Sequence, residues 1–127
     1  MRMKTMDAGG KTLYLDFGVR SYLEIEARYG SFEEFTRRIR EHDRPYEAQI
    51  ALAAACASNG NRLRGMAEEI TPEWLMDNLS KREMDLVIAS AIDAYVIGMR
   101  REHVGGEDED VDVIAQEIKK KPEQDAR

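Results

Sequence analysis

The chain reads as a mainly α protein. A compact domain of about five helices fills residues 1–104, a short N-terminal β-hairpin occupies about residues 2–17, and a flexible acidic C-terminal tail covers residues 105–127. Over most of the first hundred positions, apolar residues recur at i, i+3, i+4 and i+7, the period of a helix with one buried face. Leu13, Leu15 and Phe17 depart from that rhythm and alternate as one face of a strand does. With 127 residues, 43% apolar and 35% charged, the chain is globular in composition and long enough for one core rather than two.

The hairpin is expected from "RMKTM" and "KTLYLDF", joined through Asp7, Ala8, Gly9 and Gly10, residues that tolerate tight turns. A lone hairpin is marginal in water, so its apolar face must rest on the helices that follow. Asp16 or Gly18 starts the first helix, which runs from about Val19 to Tyr29 and stops at Gly30. Ser31 opens the second, because "SFEE" sets Glu34 three residues after a Ser N-cap in a capping-box arrangement. Phe32, Phe35 and Ile39 form its apolar stripe.

Pro45 suits the first turn of a third helix, carried by "YEAQIALAAACAS" to Asn59 and Gly60. Its alanines remove bulk on several sides, so other helices can approach closely, and an element apolar around most of its circumference belongs at the centre. "NGNRLRGMAEE" reads as a turn followed by a loop or short helical piece. Thr71 and Pro72 cap and open a short helix through Trp74, Leu75 and Leu79. Ser80 and Glu83 form a second capping box at the head of the longest helix, where Met84, Val87, Ile88, Ala91, Ile92, Tyr95, Val96 and Met99 keep the helical period. Gly105 and Gly106 end it, and Val111 to Ile118 form a transient helix at most.

Charge and residue usage exclude several classes of function. The net charge of −6 is concentrated in the tail, where residues 105–127 carry −4, so residues 1–104 are close to neutral, which argues weakly against phosphate-backbone binding, usually the work of a basic face. No apolar run approaches the roughly 20 residues that span a bilayer, and the start has no apolar signal region, so a cytoplasmic location is expected. Cys56, the single cysteine, lies in a small apolar run as a helix-interface residue, and His42 and His103 have no neighbour at metal-ligand spacing. Carboxylate pairs such as Glu33 with Glu34 and Glu68 with Glu69 are adjacent on the chain and point about 100° apart on a helix, so they do not converge on one substrate atom. No phosphate-binding glycine motif and no nucleophile elbow is present, and no catalytic, cofactor or metal residue is named. Arg37, Arg38, Arg40 and Arg44 keep a nucleic-acid reading open, although Glu33, Glu34, Glu41, Asp43 and Glu47 interleave with them. What remains is surface for proteins: Ile97 beside the main stripe of the last helix, and Trp74, Leu75 and Met76 together on the short one.

"KTLYLDFGVRSYLEIEARYGS", residues 11–31, and "ITPEWLMDNLSKREMDLVIASAIDAYVIGM", residues 70–99, resemble the tail assembly chaperones of long-tailed bacteriophages and prophages. That family opens with a short β-segment passing straight into a helix and closes on a long amphipathic helix. The resemblance implies a noncatalytic factor acting in the bacterial cytoplasm. Its partners would be the tape measure protein and tail tube subunits, with self-association as a further option and no membrane or nucleic acid involved. The alternative is a small nucleic-acid-associated regulator using the Arg37–Arg44 segment. In the family, a programmed ribosomal frameshift near the end of the gene often extends the product, and Lys119–Lys121 offers a place for a slippery adenine run. The nucleotide sequence there is expected to hold a heptameric slip site and an overlapping downstream frame; absence of both contradicts this extension.

Overall fold

A computed structural model describes residues 3–102, with side chains through residue 100. Two strands and five helices follow in order: β1 (Lys4–Ala8), β2 (Lys11–Leu15), α1 (Val19–Tyr29), α2 (Phe32–Arg40), α3 (Pro45–Leu63), α4 (Pro72–Asn78) and α5 (Lys81–Glu102). The acidic segment from residue 105 onward, His103 and the lysine run lie outside the described residues.

β1 and β2 pair antiparallel, from Lys4 opposite Leu15 to Ala8 opposite Lys11. Only Gly9 and Gly10 remain for the turn, at φ +61° and +75°, the positive values that a two-residue hairpin loop demands. Asp7 and Ala8, expected in the turn, are therefore strand residues. The strand period places Leu13 and Leu15 on the buried face, both fully excluded from solvent, and Phe17 continues it into the core. β2 lies along α3 and β1 against α5, so the helices support the hairpin as its isolated instability requires.

α3 is the central element. It touches β2 and all four other helices, and every residue from Ala48 to Asn61 is buried. The sequence placed its end at Asn59 and Gly60; the helix instead runs on to Leu63. Tertiary contacts override the local turn signal at that point. Asn59 donates through Nδ2 to the buried Asp16 carboxylate at 2.7 Å, and Gly60 lies directly under the backbone of β2. Asp16 is thereby pinned to α3, its N–H donating to the Cys56 carbonyl at 3.1 Å, and Gly18 is the residue that caps α1. The segment after α3 is held by Asn61, whose Nδ2 donates to the Glu68 carbonyl, and by Ser58, which both accepts from the Ile70 N–H and donates to the Ile70 carbonyl at 2.9 Å.

The expected caps form with one exception. Thr71 accepts from the Trp74 N–H at 3.0 Å. Ser80 and Glu83 exchange both capping-box bonds, at 3.1 and 3.0 Å. Ser31 accepts from the Glu34 N–H, but the Glu34 carboxylate turns away to Arg37 and Arg38, so only half of that box exists. Two nearby guanidinium groups outbid a single backbone N–H for a carboxylate.

Two glycines set how closely the hairpin and its exit can approach the helices. A Cβ at Gly60 would sit 1.7 Å from the Tyr14 carbonyl oxygen, and one at Gly98 would sit 2.2 Å from that of Phe17. Backbone atoms cannot swing aside as a side-chain tip can, so any side chain there must displace β2 or the Asp16–Gly18 link. Gly60→Ala and Gly98→Ala are each expected to destabilise the protein by about 2 kcal/mol or more, the upper part of the range for overpacking. Urea unfolding reads this as a lower midpoint, and an unchanged midpoint in either variant contradicts it.

Candidate docking cleft

The core-facing residues of α1 are Ser21 and Ile25. Val19 and Leu23, four residues apart on a neighbouring strip, remain 61% and 53% exposed. Solvation of two branched aliphatic side chains at helical spacing leaves an apolar edge without a partner. The edge borders a cleft of about 210 Å³ lined by Phe17, Gly18, Val19, Tyr22, Gly98 and Met99, between the first turns of α1 and the last turns of α5. The close approach of the Phe17 carbonyl to Gly98 seats the link into α1 on α5 here, and that contact places the cleft.

An aromatic cluster forms its floor. Phe17 meets Tyr95 edge to face at 4.9 Å, and Tyr22 stacks on Phe32 at 4.4 Å with their planes 12° apart. Phe32 also packs on Phe35 at 5.2 Å, joining the cleft to the core beneath α2. Burial pushes the Tyr95 hydroxyl up to about 12, with Tyr22 adding to the rise. These rings are large, have few rotatable bonds and are held on several sides, so the floor is rigid while its rim is open.

The structure divides the residues that the sequence offered as docking surface. Leu75 is core, Trp74 is half-buried with Lys11 over its ring, Met76 is exposed, and Ile97 is half-buried. The patch expected at Trp74–Met76 is therefore reduced to Met76, because the hairpin turn covers the indole. Leu63, Met66 and Leu86 are further exposed apolar residues outside the cleft. Val19 and Leu23 were legible as apolar residues at helical spacing, but nothing in the sequence separated them from the core residues Ser21 and Ile25.

Arg37 of the basic segment bonds three carboxylates, those of Glu34, Glu41 and Asp43, at 2.6 to 3.2 Å. Arg38 reaches Glu34 at 3.3 Å and lies over the Tyr29 ring. Arg37 bonding, with Arg38 contributing, holds the Glu34 carboxyl down to about 2. Two of the four arginines considered for phosphate thus have their charge matched within their own helix region. Cys56 is fully buried, and burial pushes its thiol well above the ordinary value, which suits an inert packing residue. Among the described residues, no group of three or more His, Cys, Asp or Glu side chains is gathered as a metal site, and no helix is long and apolar enough to cross a membrane.

No family model, no curated protein and no solved structure matches this chain.

A second hollow, of about 200 Å³, lies between α1, α3 and the start of α4, lined in part by Glu24, Arg28, Glu69 and Thr71. Burial first, then the Glu69 carboxylate, raises the Glu24 carboxyl above its ordinary value, with Arg62 and Arg28 opposing. A carboxyl raised by folding destabilises the fold wherever it is charged. The penalty is present above the folded pKa and disappears as pH falls below the unfolded value. Glu24→Gln is accordingly expected to be more stable than the parent at pH 7 and to match it near pH 3. Equal stabilities at both pH values, measured by urea unfolding, contradict the assignment.

Proposed function

We propose that the protein is a noncatalytic tail assembly chaperone of a long-tailed bacteriophage or prophage. It covers an apolar helix stripe of the tape measure protein in the host cytoplasm and brings tail tube subunits to it. The observation that supports this reading best is the open apolar cleft at Phe17, Tyr22 and Met99, continued outward by Val19 and Leu23. A helix laid in such a groove inserts side chains at i and i+3 or i+4, the spacing at which Val19 and Leu23 themselves stand.

The magnitudes suit a temporary cover. A fully buried aliphatic side chain contributes about 1.5–3 kcal/mol, and a cleft of this size takes one or two. Association consumes much of that gain through lost translational and rotational freedom. Each contact is then weak enough to release when tube subunits displace it, while many copies along a long helical chain keep its stripe out of water. The resemblance carried by residues 11–31 and 70–99 motivates the choice of partner, and the open apolar cleft supports it.

Co-expression with the tape measure protein of the same gene cluster tests this reading. The parent is expected to raise the soluble fraction of that protein several-fold and to co-purify with it. A Val19→Asp/Leu23→Asp double variant, altered only at exposed positions, is expected to lose both effects, whereas Leu86→Asp keeps them. Equal precipitation with and without the parent, or full activity of the double variant, contradicts the proposal.

A further inference from the structure

β1 has a strand on one side only. In the register from Lys4 opposite Leu15 to Ala8 opposite Lys11, closed by a two-residue turn, bonds are exchanged by Ala8 with Lys11, Met6 with Leu13 and Lys4 with Leu15. The residues between them turn their backbone groups outward. On β2 that outward row is covered: the Tyr14 carbonyl lies on α3 at Gly60, and the Asp16 N–H donates to the Cys56 carbonyl at 3.1 Å. On β1 the row is the N–H and C=O of Thr5 and Asp7, both exposed residues, and among the described residues no group bonds them. We propose that this edge accepts an extended segment of another protein as a third, antiparallel strand, with an apolar residue at every second position and a basic residue opposite Asp7.

The helix beneath shapes the slot. Glu83 of α5 accepts from the Gly9 N–H at 3.3 Å, and Gly98 meets the Phe17 carbonyl, so α5 runs the length of the hairpin. Toward α3, Asp85 accepts from the Tyr46 hydroxyl and the Ala91 carbonyl meets Cys56. At about 100° per residue, Leu86, Ser90 and Ile97 then fall on the opposite flank, past β1. Leu86 is 51% exposed, and Ser90 and Ile97 are half-buried. A strand beside β1 sets every second side chain on this row, and its remaining side chains share the solvent face with Thr5 and Asp7. The Asp7 carboxylate accepts from Thr12 at 2.7 Å and has no ion pair among the described residues, and Glu83 adds negative charge at the same end. Lys11 is engaged by Glu68 and the Trp74 ring, and Arg82 lies further round α5 than Leu86, away from β1. A basic residue opposite Asp7 therefore completes a cross-strand pair. A second copy of β1 does not fit the slot. Two-fold pairing of β1 with itself puts the axis roughly 2.4 Å beyond it, half a strand spacing. Because α5 packs against β1, the two copies of α5 would then lie roughly 5 Å apart, inside the about 8–10 Å of packed helices.

The edge is separate from the cleft, so the inference stands or falls independently of the chaperone reading. The peptide acetyl-VKVTV-amide is the probe: paired antiparallel, its lysine faces Asp7, its threonine faces Thr5, and its valines rest on α5. Titrated into isotope-labelled full-length protein, it is expected to shift the Thr5 and Asp7 amides and the Leu86 and Ile97 methyl groups saturably, leaving the Val19 and Leu23 methyls unmoved. Methylating the lysine and threonine nitrogens removes the two donors aimed at β1 and should weaken binding by about tenfold. Methylating the nitrogens of the middle and last valines, which point away from β1, should leave binding nearly unchanged. Asp7→Asn should weaken binding several-fold. No saturable shift at millimolar peptide, equal binding of the two methylated peptides, or unchanged binding to Asp7→Asn overturns the proposal. Protection of the Thr5 and Asp7 amides that grows with protein concentration in the absence of peptide overturns it in favour of a second copy.

Discussion

The carbonyl groups of Tyr14 and Phe17 lie against the helix backbones at Gly60 and Gly98, where not even a methyl group fits. Through these contacts the hairpin and the link into α1 bind to the two longest helices, and most other features of the fold follow from them. With Tyr14 seated on Gly60, Leu13 and Leu15 enter the core and Asp16 comes within reach of Asn59. With Phe17 seated on Gly98, its ring meets Tyr95 and α1 begins beside the last turns of α5. The hairpin is therefore a wedge that fixes the angle of α1. The scrap of β-structure at the front of a helical protein has a mechanical reason to be there.

The same wedge creates the cleft. α1 buries Ser21 and Ile25 on one strip and leaves Val19 and Leu23 on the next, beside a hollow whose floor is stacked aromatic rings. A rigid floor lets a visiting side chain bind without reordering the host, which keeps association fast and the entropic cost low. A volume of about 210 Å³ limits the gain to one or two anchors. Strong selectivity would need more contacts than this, which agrees with the temporary cover proposed above. Polar chemistry elsewhere is largely internal: Arg37 neutralises carboxylates, Ser58 closes on Ile70, and the Cys56 thiol is sealed.

Much of the fold was legible in the sequence because its signals are local. Pro45, Pro72, Thr71 and the Ser80–Glu83 pair each mark a helix start through a bond to their own neighbourhood, and the hairpin turn is written in Gly9–Gly10. The differences arise where another group competes with the local signal, from across the fold or from one helical turn away. Asn59–Gly60 looks like a helix stop, yet it is helical because Asp16 and Tyr14 arrive from the hairpin. Glu34 looks like half of a capping box, yet Arg37 and Arg38 take its carboxylate. The cleft was harder still to foresee. Val19, Tyr22, Leu23 and Ile25 are all apolar or aromatic within one short helix, and only the crossing angle determines which of them meet solvent.

Reversible apolar contact at one surface is the central proposal for this protein. Hydrogen–deuterium exchange of the full-length protein, alone and with the tape measure protein proposed as its partner, tests this most directly, because amide protection reports where a bound chain lies. Added protection is expected at residues 17–23 and in the last turns of α5 around Gly98 and Met99. Protection centred instead on Leu63–Met66 or on α4, with the cleft region unchanged, would contradict it.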